Sequence, residues 1–225
     1  VKLSIIIPVF NEHKTVEKVI EKVLSLPLEK EVIIVDDGST DGTKEILEKL
    51  KNDKLKIIFH KKNLGKGSAI RSALAEVSGE IVCIQDADLE YNIAEIARLV
   101  EGFQDKDVGA VYGSRFLQQN PVIYKKYYLG NKVITFLINL FYKGKLTDSY
   151  TCYKLVRSEI IKNLNLESER FEIEAEISIK LLKNKIKILE LPISYNPRKI
   201  EEGKKINFKD AIKSLLVILK HKFCS

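Results

Sequence analysis

Along the first half of the chain, short apolar runs alternate with stretches whose apolar residues fall three and four positions apart. The runs are Lys2 to Pro8 (KLSIIIP), Glu31 to Val35, Lys54 to His60 and Ile81 to Ile84, and they read as strands of a buried sheet. The spaced stretches, His13 to Leu26, the segment through Leu50 and Ser68 to Val77, read as helices, with Asp41 placed to cap the second. A helix over Ile93 to Phe103 and a strand over Val108 to Tyr112 continue the alternation. Strands and helices in this order predict one α/β domain with a mostly parallel, Rossmann-like sheet flanked by helices, and right-handed crossovers that bring the polar loops to one edge.

The second half keeps a looser rhythm. Val122 to Tyr142 is helical and aromatic, interrupted by Lys125, Lys126 and Lys132. Asp148 to Val156 (DSYTCYKLV) has a strand-like core, Arg157 to Leu164 a short helix, and Phe171 to Lys183 a helix carrying Glu172, Glu174 and Glu176. Lys185 to Tyr195 alternates like a strand that Pro192 confines to an edge or an end. A cationic stretch, Asn196 to Lys205, precedes an amphipathic helix from Phe208 to Phe223 that ends in Lys220, His221 and Lys222.

Composition narrows the class. With 225 residues, 45% hydrophobic and 31% charged, the chain is long enough for one large α/β domain and is neither disordered nor a membrane bundle. No apolar run reaches the length of a bilayer span, and Val1 opens no signal-peptide pattern. Cys83, Cys152 and Cys224 are scattered and lack metal-ligand spacing, which suits packing residues in a reducing, cytoplasmic compartment. A net charge of +7 arrives without zinc-finger, helix-turn-helix or ribonucleoprotein motifs, so nucleic acid is not the expected partner. Anionic small molecules and an anionic membrane surface remain.

The chemistry gathers at the strand ends. Asp86 and Asp88 follow the strand at Ile81 to Ile84, where ligands of open α/β sheets collect, and two hard oxygens so close together suit Mg²⁺ or Mn²⁺ bridging a substrate diphosphate. Gly65-Lys66-Gly67 follows the third strand, and Ile70 replaces the third glycine of a dinucleotide fingerprint, which argues against a dehydrogenase. No P-loop occurs. The glycines suit a tight loop that approaches a phosphate or another backbone. Arg115 ends the Val108 strand with a donor fork that matches a phosphate.

The ordered set Ser4-Ile5-Ile6-Ile7-Pro8-Val9-Phe10-Asn11-Glu12, Val35-Asp36-Asp37-Gly38-Ser39, Asn63-Leu64-Gly65-Lys66-Gly67 and Gln85-Asp86-Ala87-Asp88-Leu89-Glu90 resembles the inverting glycosyltransferases of family two. Gly113-Ser114-Arg115, Thr151-Cys152-Tyr153-Lys154, Leu191-Pro192 and Gly203-Lys204-Lys205 narrow the likeness to the dolichyl-phosphate mannose synthase branch. Asn92-Ile93 and Ala175 depart from it, standing where relatives often have Asp-Pro and proline.

The resemblance implies a glycosyltransferase A-type fold, with residues 1–113 serving a nucleotide-sugar donor and 114–225 an acceptor. It implies that Pro8, Phe10, Glu12, Asp36 and Asp37 hold the nucleoside, and that Asp86 and Asp88 serve ribose and metal. Asn11, Lys66, Ala87 and Glu90 complete the substrate-binding set. Arg115 meets the acceptor phosphate, Arg198 and Lys204 bind diphosphate or acceptor, and Asp88, Arg115, Arg198 and Lys204 carry the catalysis. The expected reaction moves a sugar from a UDP- or GDP-linked donor to a polyprenyl phosphate, at the cytoplasmic face of a membrane that the enzyme meets peripherally through Val122 to Tyr142 and the C-terminal helix. The alternatives are transfer to a sugar hydroxyl with Glu174 or Glu176 as base, and an inactive nucleotide-sugar-binding subunit.

Overall fold

The computed structural model describes residues 1–199 and 208–223. A seven-stranded sheet runs through it in the order β3-β2-β1-β4-β6-β5-β7. The strands are β1 Leu3–Val9, β2 Lys30–Asp36, β3 Leu55–Phe59, β4 Ile81–Ile84, β5 Val108–Ser114, β6 Lys154–Arg157 and β7 Lys187–Pro192. The helices are α1 Val16–Leu24, α2 Thr43–Lys49, α3 Lys66–Leu74, α4 Glu95–Glu101, α5 Lys125–Tyr142, α6 Ser158–Asn163, α7 Ile173–Lys183 and α8 Phe208–Phe223. The expected α/β class, single domain and mostly parallel sheet with flanking helices are all present.

The apolar runs explain the centre. β2 and β4 are buried at every position, as strands covered on both faces must be. α1 turns Val16, Val19, Ile20 and Val23 into the core, a stripe at helical spacing. β1 pairs in parallel with both β2 and β4, with Val9 opposite Asp36 and Ile6 opposite Ile84. The carboxyl ends of these three strands therefore share one edge. β6 is the exception to the parallel sheet, running antiparallel between β4 and β5. β7 is an outer strand that ends at Pro192, where a missing amide hydrogen is harmless.

Two local expectations change. The segment expected as a strand from Asp148 is extended sheet only from Lys154, because Asp148 to Tyr153 turns its polar groups inward: Ser149 bonds Thr135 at 2.9 Å, and the Cys152 amide bonds the Tyr91 hydroxyl at 3.1 Å. Asp41 is not the cap of α2; that position is Gly42 at φ +93°, and Asp41 instead accepts the Thr43 amide at 3.1 Å and the His13 amide at 3.2 Å. Beyond the sheet, α5, α7 and α8 form a second apolar cluster around Ile134, Ile138, Tyr150, Ala175, Ile179 and Ile218. Among the described residues, no helix is long and apolar enough to cross a membrane.

Candidate active site

A cavity of about 1240 Å³ opens over the shared strand edge and extends to the aromatic start of α5. Pro8, Phe10, Glu12, Asp37, Lys66, Asp86, Ala87, Asp88, Glu90, Arg115 and Arg198 all line it, so most of the residues singled out in the sequence converge. Asn11 and Asp36 do not line it. Asn11, at φ +51°, joins two loops, giving its amide to Ser39 and accepting the Thr40 amide on its side-chain oxygen, each at 2.8 Å. Asp36 is buried behind the edge, and burial raises its carboxyl pKa. Lys204 lies outside the described residues.

Asp37 is occupied by the backbone. One oxygen accepts the Leu64 amide at 2.9 Å and meets His60 Nδ1 at 2.7 Å, while the other accepts the Gly65 amide at 2.7 Å. This fixes the glycine loop, whose other side meets a backbone: a Cβ on Gly65 would sit 2.4 Å from the Glu169 carbonyl oxygen, and one on Gly67 2.3 Å from that of Ser168. Of the two uses open to those glycines, close backbone approach is the one observed.

Lys66 opens α3 and reaches Asp86 Oδ1 at 2.7 Å and Glu174 Oε1 at 2.8 Å. Burial works against the Asp86 carboxylate, but Lys66 outweighs it and lowers the pKa. Asp88 goes the other way: burial first, then the charges of Asp86 and Glu90, push it up to about 7. Among the described residues Arg198 brings a cation 3.3 Å from Asp88, but its guanidinium is also bonded to both oxygens of Glu12, at 2.9 and 3.0 Å. Glu90 holds the same segment, accepting the Arg198 amide at 2.8 Å and the Tyr195 hydroxyl at 2.5 Å.

Arg115 is clasped by Asp148, Nε to Oδ2 at 2.7 Å and a terminal nitrogen to Oδ1 at 2.9 Å, and lies 5.1 Å from the Tyr195 ring centroid. Asp148 is itself fixed through its amide to Glu190 Oε1 at 3.0 Å. Asp148, Glu190 and Lys154 were missed in the sequence. A lysine inside an apolar strand and an acid inside an apolar helix were the available signals, since each needs a buried partner. Here they find one another: Lys154 bonds Glu174 and the Thr151 carbonyl. Glu176 points elsewhere, to the amides of Glu167 and Ser168 and to Lys180.

Among the described residues, no three His, Cys, Asp or Glu side chains converge as a cage for a metal. Asp86 and Asp88 nonetheless fit a divalent ion that keeps its waters and a substrate phosphate, because they offer two hard oxygens one residue apart on the cavity wall.

A mostly parallel sheet with acidic loops at its carboxyl edge defines an open α/β class, and the comparisons make it specific. The family model for glycosyl transferase family 2 matches residues 4–164, and the chain belongs to that family. It is 28% identical over 211 residues to a dolichol-phosphate mannosyltransferase of Pyrococcus furiosus, covering 90% of this chain and 59% of the relative. It is 27% identical over 175 residues to a dodecaprenyl-phosphate galacturonate synthase of Rhizobium johnstonii, covering 75% and 51%. The chain thus spans about half to three-fifths of the length of these curated relatives. The fold matches glucosyl-3-phosphoglycerate synthase of Mycobacterium tuberculosis, solved with Mn²⁺, UDP and phosphoglyceric acid, at a TM-score of 0.75 and 18% identity, over 99% of this chain and 78% of that one. The expected glycosyltransferase A-type fold is therefore borne out.

Proposed function

We propose that this chain transfers a sugar from a nucleoside diphosphate sugar, UDP- or GDP-linked, to a polyprenyl phosphate. The observation that carries this reading is the state of Glu174 and Glu176, the two acids that the sequence offers as a base for a hydroxyl acceptor. Glu174 is ion-paired with Lys66 and Lys154, and Glu176 is turned away into the Ser168 loop. A hydroxyl acceptor needs a base, whereas a phosphate monoester with a second pKa of about 6 is already an anionic nucleophile at neutral pH. The names of the two curated relatives, both polyprenyl-phosphate sugar transferases, support the same acceptor class.

In this mechanism Pro8 and Phe10 pack the nucleoside, and Glu12, Ala87 and Glu90 wall the donor side of the cavity. The acceptor phosphate meets Arg115, whose fork is held in one orientation by Asp148, so that the attacking oxygen is positioned in line with the departing diphosphate. The anomeric carbon gains a bond to the phosphate oxygen as its bond to the nucleoside diphosphate breaks, with inversion. Mg²⁺ or Mn²⁺ at Asp86 and Asp88 would offset charge on the leaving diphosphate. Arg198 adds a cation on that side once the diphosphate competes for its carboxylate partners, and Lys204 is assigned the same task from the segment beyond it.

The acceptor side also suits a lipid. α5 exposes Leu129, Val133, Phe136 and Leu140, and α8 exposes Ile212, Leu216, Leu219 and Phe223, each set spaced as one helical stripe. The helices pack against each other, with the Tyr142 hydroxyl bonded to the Ile218 carbonyl at 2.6 Å. Lysines flank both stripes, and we assign this face to an anionic membrane surface. The test offers polyprenyl phosphate with a panel of UDP- and GDP-sugars and Mg²⁺ or Mn²⁺. Lipid-linked sugar formed only with metal supports the reading; nucleotide binding with transfer only to a soluble hydroxyl overturns it.

A further inference from the structure

Four charged side chains of alternating sign run from the core to the cavity wall. Lys154, fully buried at the start of β6, gives its ammonium to Glu174 and the Thr151 carbonyl and lies 5.2 Å from the Tyr112 ring centroid. Glu174, 2% exposed on α7, passes its other oxygen to Lys66 at 2.8 Å, and Lys66 ends the series on Asp86 at 2.7 Å. The set is neutral, yet apolar residues of similar volume would fill the same space without desolvating any charge. What the ionic set adds is geometry. The Lys66 ammonium lies between two carboxylates, 2.7 Å from Asp86 and 2.8 Å from Glu174, so its charge is divided between them.

We infer that Glu174, braced by Lys154, is a positioning residue that draws on the Lys66 ammonium, weakens the Lys66–Asp86 ion pair and so keeps Asp86 available to a divalent cation. The inference rests on the proposed metal at Asp86 and Asp88 and is independent of the acceptor. If Glu174 is made neutral, Asp86 is the anionic partner of the ammonium that remains among the described residues, and the tighter pair opposes the incoming cation. If Lys66 is removed, Glu174 has nothing to draw on.

The test is Mn²⁺ binding followed by the electron paramagnetic resonance of the free ion, with saturating UDP and separately GDP. Glu174→Gln is expected to weaken Mn²⁺ binding about ten-fold, and Lys66→Met to tighten it. In the Lys66→Met background, Glu174→Gln should change the affinity by no more than about two-fold. Because Glu174→Gln leaves Lys154 buried without its carboxylate, the Gln variant is also made together with Lys154→Met, which removes both charges of that pair. Equal weakening with and without Lys66 makes Glu174 merely structural and overturns the inference, as does an unchanged affinity when Lys66 is present. Wild-type protein that binds no Mn²⁺ with either nucleotide overturns the metal assignment itself, a distinct result.

Discussion

The amino-terminal and carboxyl-terminal halves hold their charges by different means. In the first, carboxylates are fixed by backbone amides: Asp37 by Leu64 and Gly65, Glu31 by Ser78 and Gly79, Asp41 by His13 and Thr43. In the second, charge is matched mostly by charge, Arg115 on Asp148 and Lys154 on Glu174, and apolar stripes remain exposed on α5 and α8. Both kinds of contact join segments far apart in sequence, 27 to 48 residues for the amide bonds to Asp37 and Glu31 and 33 and 20 for the two ion pairs, so both depend on the assembled domain.

Replacing Arg115 should separate the two most sharply. Arg115→Ala is expected to lower kcat/KM for polyprenyl phosphate by about a hundred-fold or more while nucleotide binding, read by calorimetry, stays near wild type. Because the alanine strands Asp148 in the core, Arg115→Lys provides the second reading: it keeps the charge, loses the two-pronged geometry and should still fall by at least about ten-fold. A loss of nucleotide affinity in the lysine variant would dissolve the division between halves.

The seam between the halves is the next target. Gly67→Ala puts a Cβ against the Ser168 carbonyl, 2.3 Å away, and should lower unfolding free energy by about 2–3 kcal/mol in urea titrations. Removing the amide-fixed carboxylate of the first half, Asp37→Ala, leaves the Leu64 and Gly65 amides without their acceptor and should cost about 2–4 kcal/mol. Nucleotide affinity should fall with it, because the loop it fixes borders the cavity. A smaller effect concerns acid stability. Glu31, with burial opposed and outweighed by bonds from Ser4 and Ser78, has its pKa lowered to about 2. A depressed carboxylate stabilises the fold above its unfolded pKa and loses that contribution as pH falls toward about 2. Glu31→Gln should therefore flatten the acid limb of stability between pH of about 4.5 and about 2, as measured by circular dichroism.

The sequence made the first half legible because its elements are local. Short apolar runs bounded by polar loops read as strands, and the acids that follow them fall on the shared edge once β1, β2 and β4 are parallel. The second half was harder to read for a physical reason. Asp148 to Val156 has a strand-like core, yet the side chains of Ser149 and Asp148 are satisfied by Thr135 of α5 and by Arg115, and the Cys152 amide by the Tyr91 hydroxyl. Glu172, Glu174 and Glu176 sit at equal spacing on one helix, and only packing decides that Glu174 faces the cavity while Glu176 faces the Ser168 loop. Asp36 and Asp37 are adjacent, but the strand pleat sends the first behind the edge and the second to the glycine loop.

The central claim is that the acceptor arrives already anionic, so no protein base is needed. It is tested most directly by offering a polyprenyl phosphate and the matched polyprenol with the same donor across pH. The account predicts transfer to the phosphate alone, with a rate that rises with its second ionisation, near a pH of about 6, and levels off above it. Transfer to the alcohol would contradict it, and its loss in Glu174→Gln at saturating metal would make Glu174 the base.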